Sequence, residues 1–248
     1  MTALVLDDVT INFGGVKAVS DVSLSVAEGE RRVMLGPNGA GKTTLFNMIG
    51  GQLRPKEGRI TLFDRDVTRL SPNERAHAGI ARTFQITSLF AAQTVEENVY
   101  LAVQGTLPNR YAIWRAASDI ASTMQRVEQV LTEWRLVDTR HVTARDLSYG
   151  EQRKLEIAMA LARRPRLLLL DEPTAGLSTA ETENVVALIK SLGRDVTVLV
   201  IEHDMDVAFE IGERFTILNQ GQVVAEGNAQ AIRSHPEIQS IYFGEGDI

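Results

Sequence analysis

Apolar positions along the chain follow two different periods. Leu4–Phe13 (LVLDDVTINF) and Val22–Val26 partly alternate and are rich in β-formers, as half-buried antiparallel strands are. Arg32–Leu35 is a short buried strand running into a Gly-rich loop, and Thr43–Ile49 follows as a helix. The turn PKEG at Pro55–Gly58 precedes a strand over Arg59–Phe63. Ser71–Ile80 carries a helix start, with Ser71 as N-cap and Pro72 in the first helical position, and Ile80–Phe84 reads as a strand ending at Gln85. From Val95 to about Asp138 the spacing turns helical: Val95, Val99, Leu101 and Val103, then Ile120, Met124, Val127, Val130 and Leu131. No strand is legible there, which predicts a helical subdomain over approximately 86–163.

Beyond Ser148 the pattern alternates. A helix (Gly150–Ala162), a buried strand (Leu167–Leu170), a helix (Ala180–Leu192), a strand (Val196–Ile201) and a helix (Met205–Ile211) are expected in turn. A hairpin joins Phe215–Leu218 to Gln222–Ala225 through NQGQ, and a last helix covers Ala229–Tyr242. Strands alternating with helices imply an α/β fold with a mostly parallel central sheet and an antiparallel edge. The 248 residues suffice for one such domain carrying a helical insertion.

Composition narrows the partners. With 44% hydrophobic and 23% charged residues the chain is an ordinary globular one, and its net charge of −6 argues against a broad nucleic-acid footprint. It has no cysteine, so disulfides, thiolate metal sites and cysteine nucleophiles are excluded. The start, MTALVLDDVT, has acids where a signal peptide carries basic and apolar runs. Aliphatic stretches such as Leu167–Leu170 fall far short of the roughly 20 residues that span a bilayer. The expectation is a soluble chain whose membrane connection, if any, runs through a partner.

The chemistry is concentrated at strand ends. Gly36, Pro37, Asn38, Gly39, Ala40, Gly41, Lys42 and Thr43 match G-x-x-x-x-G-K-[ST] in full, with Thr44 following. The glycines let backbone N–H groups turn toward phosphates, and the helix beginning near Lys42 points its positive end at the same anion. Lys42 can neutralise the terminal phosphates of ATP, and the Thr43 hydroxyl can take one position on Mg²⁺. Leu167–Leu170 reads as a buried strand that expels Asp171 and Glu172 at its carboxyl end, where ligands bind in open α/β sheets. Asp171 is the candidate for Mg²⁺ and Glu172 for the water attacking the γ-phosphate. Gln85, after its strand, could reach the metal or that water. His203, after Val196–Ile201, could hydrogen-bond the γ-phosphate. Phe13 could stack on an adenine ring or belong to the core.

A second anion receptor is legible in "DLSYGEQRKLEIAMALARRP" at Asp146–Pro165. Ser148 stands ahead of Gly150 at the start of a helix, where a hydroxyl and free N–H groups could receive a γ-phosphate. One nucleotide does not need two receptors in one chain. Two chains could sandwich two ATP molecules, each phosphate loop facing the Ser148 turn of the other copy.

GPNGAGKTT, Gln85, LSYGEQ, LLLLDE and His203, in this order, resemble the nucleotide-binding subunit of an ABC transporter over essentially the whole chain. The resemblance implies a P-loop NTPase core with an antiparallel β subdomain and a helical subdomain, dimerising head to tail with this or a second ATPase subunit. It also implies separate membrane-spanning permease subunits, moved by ATP-driven closure and docked near Ile86–Val95. INFGG, ARTFQ, LSYGEQRKLEIAMAL, AGLSTAET, IEHDM and HPEIQSIYFGE are more narrowly similar to the ATP-binding subunits of branched-chain amino-acid importers. That branch implies residence at the cytoplasmic face of the inner membrane and an indirect link to a solute-binding protein. Alternatives are an exporter ATPase, such as one for lipopolysaccharide, a soluble relative acting on DNA or ribosomes, and a non-catalytic ATP switch. Two departures from the family pattern stand out: Tyr149 and Glu151 in LSYGE, and Ser178 in AGLST where most of the family has an aspartate.

Overall fold

The computed structural model describes residues 1–83, 89–105, 117–235 and 238. They form two compact units, Met1–Arg82 with Arg166–Pro173 and Ile189–Ile248, and Thr83–Pro165 with Thr174–Leu188.

The first unit opens with a hairpin of β1 (Thr2–Phe13) and β2 (Val16–Ala27), in which Phe13 faces Val16 across Gly14 and Gly15. So short a connection needs positive φ, which Gly14 supplies at 57°. The alternation in the sequence marks this strand only from Val22, yet pairing with β1 continues through Lys17 and Val19 to Val16. β3 (Arg31–Leu35) and α1 (Lys42–Gly50) follow, then β4 (Glu57–Leu62), β5 (Arg65–Asp66), α2 (Pro72–His77) and β6 (Ile80–Arg82). β1, β2, β4 and β5 make an antiparallel sheet in the order β2-β1-β4-β5.

The central sheet adds β7 (Leu167–Asp171), β8 (Thr197–Ile201), β9 (Arg214–Asn219) and β10 (Gln222–Gly227), in the order β10-β9-β3-β8-β7-β6. All its neighbours run parallel except β10, which turns back along β9. Every residue of β7 and β8 is buried, so these strands show continuous aliphatic runs rather than alternation. One core joins the inner face of the antiparallel sheet (Leu4, Leu6, Leu24) to α1 (Leu45, Phe46, Ile49) and alternate β7 and β8 residues (Leu167, Leu169, Leu199, Ile201). Each such side chain contributes about 1.5–3 kcal/mol on burial.

Polar chemistry fixes the helix ends. Ser71 and Glu74 form a reciprocal capping box at α2, with Pro72 in the first turn. Arg75, fully buried, donates to the Met48 and Ile49 carbonyls at the end of α1. Burial pushes its guanidinium down to about 10. α7 (Met205–Ile211) and α8 (Ala229–Arg233) start on Asp204 and Asn228 caps. The expected helix over Ala229–Tyr242 is not continuous: α8 ends at Arg233, Ile238 is helical again, and the stretch 239–242 lies outside the described residues. His235 stands before Pro236, a position that disfavours helical backbone. β6 stops at Arg82 rather than reaching Phe84, which lies outside the described residues.

In the second unit α3 (Val95–Gln104), α4 (Ala117–Glu133) and α5 (Tyr149–Ala162) pack on one another. Val99, Val103, Val127, Val130 and Leu131 are buried, as their spacing asks, whereas Leu101, Ile120 and Met124 lie exposed. The unit also holds most of α6 (Thr179–Ser191). Among the described residues no helix is long and apolar enough to cross a membrane.

Candidate nucleotide site

The loop between β3 and α1 turns on three glycines. Gly36, Gly39 and Gly41 have φ of 153°, 80° and 101°, conformations that other residues rarely adopt. A Cβ on Gly36 would stand 2.2 Å from the Leu218 carbonyl oxygen, and one on Gly41 would stand 2.4 Å from that of Ala18. The turn of the β9–β10 hairpin braces the loop from behind, Gly221 N–H donating to the Ala40 carbonyl at 2.9 Å. Gly41 caps α1 without a side-chain acceptor, and no acid stands in the first turn. The leading N–H groups of α1 are therefore left to an external anion.

Lys42 is the first residue of α1, with Thr43 and Thr44 behind it. Its ammonium curls over the loop, donating to the carbonyls of Gly36 at 2.5 Å and Pro37 at 3.0 Å. Burial lowers its pKa, while the charges of Glu172 and Asp171 raise it in part. That coupling puts the two acids close to the loop. The topology explains how: β3, β8, β7 and β6 are parallel neighbours, so the phosphate loop, His203, Asp171–Glu172 and Thr83 all follow strand ends at one sheet edge.

The two acids differ. Asp171 is not expelled into solvent: it remains in β7, 2% exposed, with Oδ2 at 3.1 Å from Arg82. Glu172 leaves the strand through a left-handed φ of 47°, its N–H held by the Ile201 carbonyl at 3.0 Å. A positive φ at a glutamate is strained and persists where the surroundings hold it. His203 follows β8 and is exposed, its backbone N–H donating to the buried Glu202 carboxylate. Phe13 ends β1 half-exposed, outside the core. Gln85 and the segment 86–88 lie outside the described residues.

The candidate second receptor, the Ser148 turn, belongs to the other unit. Ser148 caps α5 in a reciprocal box with Glu151, whose backbone N–H donates to the Ser148 hydroxyl at 3.3 Å. Glu151, at a position where the common family form has glutamine, is thus the partner that orders this turn. Tyr149 stays exposed beside it. Gly150 N–H donates to the Glu181 carboxylate at 3.2 Å, and Glu181 also accepts from the hydroxyl and N–H of Ser178. Glu181 therefore ties the Ser148 turn to the departure at Ser178. The Ser178-x-x-Glu181 spacing signals a capping box and was the cue available for finding it.

Two further residues escaped the sequence reading. Buried Asn98 accepts from Phe90 N–H and donates to the carbonyls of Phe90, Gln93 and Thr94, shaping the stretch ahead of α3. A lone asparagine on a helical apolar face gives no such signal. Arg82 falls inside the expected strand Ile80–Phe84 with no signal of its own, yet its side chain is almost wholly buried, reaching Asp171 and Asn47.

A glycine loop feeding a helix, a lysine at its mouth and acids at the end of a parallel strand define a P-loop nucleoside triphosphatase. The ABC transporter family model matches residues 19–175, and the chain belongs to that family. The chain is 38% identical over 249 residues to a high-affinity branched-chain amino acid transport ATP-binding protein, BraF of Pseudomonas aeruginosa, covering 98% of each chain. It is 40% identical over 228 residues to a lipopolysaccharide export system ATP-binding protein, LptB of Acidithiobacillus ferridurans, covering 92% of this chain and 90% of that one. Among solved structures, the ADP conformation of the ATP-binding cassette MJ1267 superposes with a TM-score of 0.85 at 30% identity, covering 99% of this chain and all of the other. The dimeric bacterial ABC transporter cassette MJ0796 superposes with a TM-score of 0.76 at 30% identity, covering 91% and 98%.

Proposed function

We propose that this chain is the ATP-hydrolysing subunit of an ABC importer for branched-chain or related hydrophobic amino acids. One observation carries the reading: Lys42, at the mouth of a loop where Gly36 and Gly41 leave no space for a Cβ, is electrostatically coupled to both acids at the end of β7.

In this reading the N–H groups of Gly36–Thr44 cradle the phosphates and Lys42 neutralises them. Glu172 accepts a proton from the water that attacks the γ-phosphorus as the bond to the ADP oxygen breaks. His203 and Gln85 hold the γ-phosphate and the water, and Phe13 stacks on the adenine. The Thr43 hydroxyl, Asp171 and Gln85 would hold Mg²⁺ together with the nucleotide phosphates. Mg²⁺ so bound supplies charge neutralisation on the transferring phosphoryl group.

Ser148 and Gly150 of a second ATPase subunit, identical or not, close the site head to tail; that a cassette relative is dimeric supports pairing of two subunits. Permease subunits dock on the stretch Ile86–Val95, whose described part presents an exposed Phe90. The subunit sits peripherally at the cytoplasmic face of the inner membrane, coupled through the permease to a solute-binding protein, and contacts no nucleic acid. The importer reading is favoured over export because the branched-chain relative matches nearly end to end. Purification of the tagged chain from membranes, with uptake of labelled leucine in cells lacking it, tests the reading. Permeases should travel with the chain and leucine uptake should fall; recovery with a lipopolysaccharide assembly or on nucleic acid would contradict it.

A further inference from the structure

Arg82 closes β6, the strand beside β7. Its side chain, only 7% exposed, reaches two elements at once. One terminal nitrogen lies 3.1 Å from Asp171 Oδ2 on β7, and the other donates to Asn47 Oδ1 on α1 at 2.7 Å and to Gln52 at 3.3 Å. The guanidinium also lies 5.8 Å from the centre of the Phe46 ring, again on α1. α1 is the helix that begins with Lys42 and Thr43.

Stability alone is a weak reason for such a pair. Taking a guanidinium and a carboxylate out of water costs several kcal/mol, roughly what their attraction returns. What a buried, forked contact does supply is direction. The planar guanidinium presents its two terminal nitrogens at a fixed angle, so holding Asn47 with one and Asp171 with the other fixes the carboxylate relative to α1. A lysine cannot do this, because a single ammonium on a flexible stem does not bridge the two acceptors with defined geometry.

We propose that Arg82 is a positioning residue for the metal-dependent part of the site, holding the Asp171 carboxylate in register with the helix that carries Lys42 and Thr43. This rests on the reading of Asp171 as the carboxylate that serves Mg²⁺. Partners that orient a metal-serving carboxylate typically change metal affinity about 10- to 100-fold when removed.

The test measures the affinity of the intact chain for a fluorescent ATP analogue, first in EDTA and then across a Mg²⁺ titration. Wild type, Asp171→Asn, Arg82→Met and Arg82→Lys are compared, with urea melts to confirm cooperative folding. Wild type should gain affinity with Mg²⁺ and Asp171→Asn should lose that gain; failure of this pair would overturn the reading of Asp171 itself. Given that pair, Arg82→Met should need about 10- to 100-fold more Mg²⁺ for the half-maximal gain, with its affinity in EDTA within about twofold of wild type. Arg82→Lys should fall between the two and remains informative if Arg82→Met does not fold. A wild-type Mg²⁺ midpoint in whichever of these variants fold would overturn the proposal.

Discussion

Glu172 and Gly41 show how much of the site depends on backbone conformation. Asp171 is kept inside β7, whereas the backbone leaves the strand at Glu172 through a left-handed turn. If Glu172 takes the proton of the attacking water, Glu172→Gln should lower ATP turnover about 10²–10⁴-fold while leaving nucleotide affinity close to wild type. Phosphate release and analogue binding measured on the same preparation check this, and turnover near wild type would remove Glu172 from that role. At Gly41 a methyl group would meet the Ala18 carbonyl with φ at 101°. Gly41→Ala should therefore cost at least about 1–3 kcal/mol in urea unfolding and weaken nucleotide binding as well. The glycine loop was legible in the sequence because its chemistry lies in residue identities at fixed spacing. Arg82 was not, because its partners on α1 and β7 are distant in the chain, and the spacing of Glu181 from Ser178 signals a cap but not its bond to Gly150.

Caps and strand ends set the behaviour of the elements. Glu74 and Glu181 are held below the usual carboxylate range, each first by a serine hydroxyl, Ser71 and Ser178 respectively, and then by that serine's N–H; Asp66 is held likewise by Thr68. A carboxylate with a folded-state pKa below its unfolded value adds stability above the unfolded value, and that is lost as pH falls through the folded one. The melting temperature should thus stay level down to about pH 5 and drop below about pH 4. Ser71→Ala and Ser178→Ala should each flatten that drop in thermal melts, and an unchanged acid slope in both would contradict the assignment. Fully buried strands such as β7 and β8 were readable as aliphatic runs. The early half of β2 was not, since its residues owe their extended form to pairing with β1. The last helix was read as continuous because its apolar spacing runs on through Ser234–His235, where the backbone leaves the helix ahead of Pro236.

At the scale of the whole molecule, the chain offers two candidate anion receptors of different construction. One is a loop of backbone N–H groups before α1; the other is a serine-capped turn at α5 whose Gly150 N–H is engaged by Glu181. The account places both at work in one dimeric site, each subunit lending its turn to the other's nucleotide. A pair of individually disabled chains tests this most directly. Lys42→Ala removes the phosphate ligand from one subunit, and Ser148→Arg blocks the receiving turn on the other. Each variant alone should be nearly inactive, and mixing them should restore ATP turnover, because half of the sites in mixed dimers combine an intact loop with an intact turn. Wild-type turnover by Ser148→Arg alone, or no recovery on mixing, would contradict the account.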